Sequence, residues 1–114
     1  MSVYMTQFSY TAEAWKALVK RPEDRAAVLA EHAEGLGGRV LSFYYCMGDY
    51  DGVVIFEAPD EGTAASILFT AISPGHLKAT KTTALLSVDD TMDAMRRANS
   101  EAYPAPKLWS PTLS

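Results

Sequence analysis

One cysteine, two histidines and an excess of acid over base mark what this chain of 114 residues lacks. The lone Cys46 excludes an internal disulfide, and its place in a strand pattern marks it as a small buried hydrophobe rather than a reactive thiol. No CxxC or HExxH spacing occurs, so neither structural nor catalytic zinc is expected. Ten Lys and Arg against fourteen Asp and Glu give a net charge of -4, which argues against a protein that grips nucleic acid through a basic face. No apolar run approaches the roughly 18 residues of a membrane span. The N-terminal MSVYMTQFSYT also lacks the basic-then-apolar order of a signal peptide. A soluble cytoplasmic protein, with neither nucleic acid nor membrane as partner, is the expectation. No nucleophile elbow, phosphate loop or dinucleotide fingerprint is present, because Gly35-Leu36-Gly37-Gly38 lies at the C-terminal end of a helix, the wrong end for phosphate.

What is present reads as one globular domain, with 48% hydrophobic and 21% charged residues. Val3 to Tyr10 is rich in β-branched and aromatic residues and predicts a strand, followed by a short helix capped by Thr11. Pro22 suits the first position of a second helix, with Glu23 and Asp24 in its first turn and Gly37-Gly38 as its stop. Arg39 to Met47 predicts a strand with Leu41, Phe43, Tyr45 and Met47 on one face and Val40, Ser42, Tyr44 and Cys46 on the other. Val53-Val54-Ile55-Phe56 predicts a central strand covered on both sides. Asp60 caps a third helix from Glu61 to about Ile72, and Leu77 to Leu86 reads as an edge strand guarded by Lys78 and Lys81. Ser87 and Asp90 then open a last helix with Val88, Met92 and Met95 as its expected buried stripe.

That order is βαββαβ with an extra C-terminal helix, an α+β, ferredoxin-like arrangement with a four-stranded antiparallel sheet and strands one and three at its centre. Helices cover one face of such a sheet. Apolar groups on both faces of the second and third strands therefore point to a homodimer that packs sheet against sheet. Residues 1–99 form the expected domain. Residues 100–114, SEAYPAPKLWSPTLS, form a Pro-rich arm that Tyr103, Leu108 and Trp109 are suited to anchor on their own subunit or on a partner.

Candidate site residues are few. Asp49 and Asp51 have the spacing of a cation pair, but the chain after Gly52 continues as a strand instead of a calcium loop, so Gly48-Asp49-Tyr50-Asp51-Gly52 reads as a hairpin turn built of residues that tolerate positive φ. Tyr50 gains nothing from turn geometry and is a candidate either to clamp the hairpin or to stand at a pocket mouth. His32 reads as a surface helix residue, whereas His76 follows Ser73-Pro74-Gly75 at the mouth of a strand, where a proton acceptor or a ligand contact is favourably placed. Tyr4 and Tyr44 complete the set as tyrosines able to face a cavity.

With these segments in place the chain resembles the GYD domain family, grouped with the dimeric α/β-barrel superfamily. The likeness is carried by Tyr10-Thr11, Leu36-Gly37-Gly38, Phe43-Tyr44, Gly48-Asp49-Tyr50-Asp51, Glu57-Ala58-Pro59-Asp60 and Lys81-Thr82-Thr83-Ala84-Leu85-Leu86, over roughly residues 3 to 95. The resemblance implies a ferredoxin-like protomer that dimerises, and no particular activity. Wider relatives include cofactor-free monooxygenases and haem enzymes, but none of their catalytic patterns maps onto residues here. The expectation is a homodimer binding a small apolar or aromatic ligand, either in a pocket between sheet and helices or in the barrel between the paired sheets, with no cofactor. The alternatives are a cofactor-independent monooxygenase or isomerase using His76, a haem protein with His76 as axial ligand, and a structural dimer clasped by its tail.

Overall fold

In a computed structural model, residues 1–110 are described. Every helix begins at a side-chain cap. In α1 (Ala12–Lys20) the Thr11 hydroxyl accepts from the Ala14 amide at 3.1 Å, and in α3 (Glu61–Ile72) Asp60 accepts from the Thr63 amide at 2.7 Å. Ser87 does the same for α4 (Val88–Asn99), accepting from the Asp90 amide at 3.0 Å. Each bond satisfies an amide that a helix start otherwise leaves without a partner. The second helix starts later than Pro22: α2 (Arg25–Gly35) is capped by Asp24, whose carboxylate takes the Ala27 amide at 3.0 Å and leaves Pro22 and Glu23 outside the helix. Gly37, at φ +95°, then turns the chain out of α2, a conformation that costs glycine little.

The strands β1 (Ser2–Tyr10), β2 (Arg39–Tyr45), β3 (Gly52–Ala58) and β4 (Leu77–Leu85) form one antiparallel sheet in the order β2-β3-β1-β4. The ferredoxin-like arrangement is thus observed, with β1 and β3 at its centre and Lys78 and Lys81 exposed on the β4 edge. Tyr4, Thr6, Phe8 and Tyr10 of β1 and Val54, Phe56 and Ala58 of β3 point under the helices and are buried. Ala33 of α2 and Ala64 and Ile67 of α3 close over this row, and Leu29, Val40, Phe43 and Leu68 pack around it. The opposite face carries Val3, Met5, Val53 and Ile55 half-exposed, so β3 is covered by the protomer's own helices on one side only.

β2 departs from simple alternation. Val40 pairs with Phe56 and Ser42 with Ile55, leaving Leu41 as an extra residue between two adjacent partners of β3. Such a bulge shifts the two-residue count by one. Val40 therefore shares the helix side with Phe43 and Tyr45, while Ser42 and Tyr44 face the open side. The strand stops at Tyr45, so Cys46 lies in the following loop and is exposed, contrary to the buried position its strand pattern implied.

The last helix is the largest departure. Val88, Met92 and Met95 are 75%, 42% and 63% exposed, because α4 makes no more than glancing contact with any other element among the described residues. The stripe expected to be buried is a bare stripe. The arm behaves alike: Tyr103, Leu108 and Trp109 are exposed and do not anchor it on their own subunit, and residues 111–114 of that arm lie outside the described residues. The radius of gyration is accordingly 19.1 Å, against about 13 Å for a compact chain of this size. No helix among the described residues is long and apolar enough to cross a membrane.

Candidate functional site

The C-terminal end of β1 carries an aromatic cluster. Phe8 lies 5.5 Å from Phe43 between ring centroids, Tyr10 lies 5.1 Å from Trp15 and 6.2 Å from Tyr45, and the Tyr10 and Tyr45 hydroxyls are 3.2 Å apart. One carboxylate ties the cluster together. Asp51 Oδ2 accepts from the Tyr10 amide and from Trp15 Nε1, each at 2.9 Å, joining the β2–β3 loop to β1 and α1. Its backbone takes part as well, since its amide donates to the Phe8 carbonyl at 2.8 Å and its carbonyl accepts from the Cys46 amide at 2.7 Å.

The GDYDG segment is thus more than a turn, and its turn chemistry differs from the expected one. None of Gly48, Asp49, Asp51 and Gly52 has positive φ, because the connection from Cys46 to Asp51 is a wide loop rather than a two-residue hairpin. Gly52 is needed for space: a Cβ there would clash with the far edge of the Phe8 ring. Among the described residues no cluster of three or more His, Cys, Asp or Glu side chains is arranged to hold a metal ion.

Beside the aromatic cluster, between the sheet and helices α2 and α3, opens a cavity of about 190 Å³. Phe8, Phe43, Leu29 and Leu77 give it an apolar interior, and Arg25, His32, Thr70 and His76 supply its polar groups. Behind it a smaller void of about 50 Å³ shares Phe8, Leu29, Ala71 and Leu77. His32 Nε2 and Thr70 Oγ1, 2.7 Å apart, bridge α2 to α3 across the mouth. His76 sits where α3 gives way to β4, and its carbonyl accepts from the Thr11 amide at 2.9 Å. Partial burial, reinforced by the charge of Arg25, holds its imidazole below the usual histidine range, so the ring is neutral at pH 7. Burial, followed by the bond to Tyr45, pushes the Tyr10 hydroxyl above the usual tyrosine range and keeps it protonated. A neutral imidazole, a phenol and a guanidinium around an apolar floor can hydrogen-bond a small planar molecule and exchange a proton with it.

Of the four candidate residues, His76 alone lines this cavity. Tyr4 is 8% exposed in the core, stacked on Phe56 at 5.5 Å. Tyr44 is 69% exposed on the open sheet face, and Tyr50 is half-buried in the β2–β3 loop. His32, expected as a surface residue, is exposed and yet forms part of the mouth. Tyr10, Tyr45 and Arg25 escaped sequence reasoning as site residues, and Asp51 was legible there only as a residue of the turn. The one signal for them was aromatic density at the ends of the first two strands.

Residues 4–95 match the GYD domain. A relative described as "Glutamine synthetase and cystathionine beta-lyase binding protein", from Thermus thermophilus, is 32% identical over 78 residues, or 68% of this chain and 82% of its own length. Among solved structures, MtbAldR is similar with a TM-score of 0.56 at 14% identity, over 75% of this chain, which spans 52% of that one. TTHA0845, also from Thermus thermophilus, is similar with a TM-score of 0.51 at 17% identity, over 77% of this chain and 96% of that one. The two structures show a shared fold, and the match along residues 4–95 shows more: the chain belongs to the GYD domain family.

Proposed function

We propose that this chain acts as a homodimeric binding protein for a small, mostly aromatic molecule held in the cavity between its sheet and helices α2 and α3. The observation that carries the reading is the convergence of Arg25, His32, Thr70 and His76 on a floor of Phe8, Leu29, Phe43 and Leu77. Its volume of about 190 Å³ is a little above the roughly 150 Å³ of an apolar cavity that admits benzene, so it suits one ring with a substituent and not a porphyrin. The reading therefore includes no cofactor. The test is a ¹⁵N-labelled NMR screen of single-ring compounds against the full chain. Shifts grouped at Phe8, His32, Phe43, His76 and Leu77 support it; shifts confined to the open face, or none at all, sink it.

Dimerisation rests on the half-exposed row of Val3, Met5, Val53 and Ile55 and on the bare stripe of α4. Four strands about 4.8 Å apart and about 23 Å long outline roughly 450 Å² of sheet face, short of the roughly 800 Å² per partner of a stable interface. The α4 stripe extends the apolar surface toward that area. A second reading makes the same surfaces a docking site for an enzyme, as the name of the Thermus relative suggests. Cross-linking in dilute purified solution separates the two: self-linkage through α4 supports the dimer, and its absence favours an enzyme partner.

A further inference from the structure

The cavity lining carries charge of one sign. Among the described residues Arg25 is the only formally charged side chain in its lining, which holds neither Asp nor Glu, in a protein whose net charge is -4. Arg25 is the first residue of α2, at the positive end of the helix dipole, where the Asp24 cap is the one acid of the helix start and the first turn itself holds none. Its guanidinium acts on the Tyr10 hydroxyl, where the Asp51 carboxylate opposes it, and on the His76 ring, where no acid does, which places the positive potential on the His76 side of the cavity. Its one side-chain hydrogen bond among the described residues runs from Nη1 to Glu23 Oε1 at 3.2 Å, and Glu23 is largely in solvent. A guanidinium carries five donors in a planar fork, so that contact leaves several for a second carboxylate.

We propose that the cavity selects an anion, a single-ring aromatic carboxylate, with its ring against Phe8, Leu29, Phe43 and Leu77 and its carboxylate turned to Arg25. This rests on the binding role proposed for the same cavity and narrows it to a ligand class. The neutral His76 ring offers the carboxylate a hydrogen bond without a competing charge. The dipole of α2 adds to the attraction of Arg25 instead of opposing it.

The experiment titrates the full chain with sodium benzoate and with benzamide, its uncharged counterpart of nearly the same shape, following ¹⁵N shifts and heat. Benzoate should bind about tenfold or more tightly than benzamide, as expected when a hydrogen bond gains a charge. Arg25→Gln should bring the two affinities together, and Glu23→Gln, which releases the guanidinium, should raise benzoate affinity alone. Equal binding of both compounds to the unaltered protein overturns the anion preference while leaving the cavity as a binding site. Binding of neither overturns the cavity reading and this proposal with it. A fall in benzoate affinity in Glu23→Gln also counts against it, and this variant is informative even if Arg25→Gln fails to fold.

Discussion

Asp51 lies 41 and 36 residues in sequence from the two groups that donate to it, the Tyr10 amide and the Trp15 indole. Replacing it with alanine leaves both donors without an acceptor, and the partly buried Tyr10 amide bears most of the penalty. Asp51→Ala should lower the unfolding free energy by about 1–3 kcal/mol, measured by urea denaturation. In a Trp109→Phe background it should also shift the emission of Trp15 to the red. An unchanged midpoint and spectrum would show that the carboxylate ties nothing down. Next to it, Gly52→Ala should cost about 1–3 kcal/mol through overpacking against Phe8, although no backbone strain is involved. His76 gives a prediction in pH. Folding lowers its pKa, so the unfolded chain binds the proton more tightly and its contribution to stability is complete above the ordinary histidine value of 6.5. That contribution is lost as pH falls below that value toward the folded one. The melting temperature should therefore drop over that window, and His76→Gln should flatten the drop; an equal slope in the variant contradicts the assignment.

Elements differ in how far the sequence discloses them. Thr11, Asp60 and Ser87 each cap the helix that follows, as their residue types and positions indicate, because capping is settled within three residues of chain. His76 was legible for a similar reason, as a polar residue after a helix stop. The Tyr10–Tyr45 pair and Arg25 were not, since only the pairing of distant strands and the late start of α2 bring them together. Alternation also misled in β2, where a single extra residue moves Val40 across the sheet relative to the count. In α4 the spacing of Val88, Met92 and Met95 predicts a buried stripe that the structure leaves bare, because periodicity indicates that a stripe exists and not which surface meets it. Because the stripe is bare, Met92→Gln with Met95→Gln should leave the stability of a dilute, single-chain sample within about 0.5 kcal/mol of the parent, as read from urea denaturation. A large loss there would mean that α4 folds back onto the body.

At the scale of the molecule, one sheet separates two apolar regions, a closed core with its cavity and an open face continued by α4. The two need not respond to the same change. In sedimentation equilibrium the full chain is expected at twice the chain mass, and Met92→Glu with Met95→Glu should return it to the single-chain mass by placing charge where apolar contact is needed. If the dimer reading holds, benzoate binding should survive this change, because no described α4 residue lines the cavity. A dimer that persists with both glutamates in place would move the interface off α4.

The extra residue of β2 gives the edge of the sheet slack. On either side of Leu41 the in-and-out order is already in phase, with Val40 inward, Ser42 outward and Phe43 inward. Removing Leu41 would splice two matching halves into one regular strand, whereas removing Phe43 would turn the rest of the strand over and carry Tyr45 away from Tyr10. Loss of one residue at Leu41 should therefore leave the aromatic cluster undisturbed, and sequence alignments through β2 should admit a gap there that they refuse two residues later.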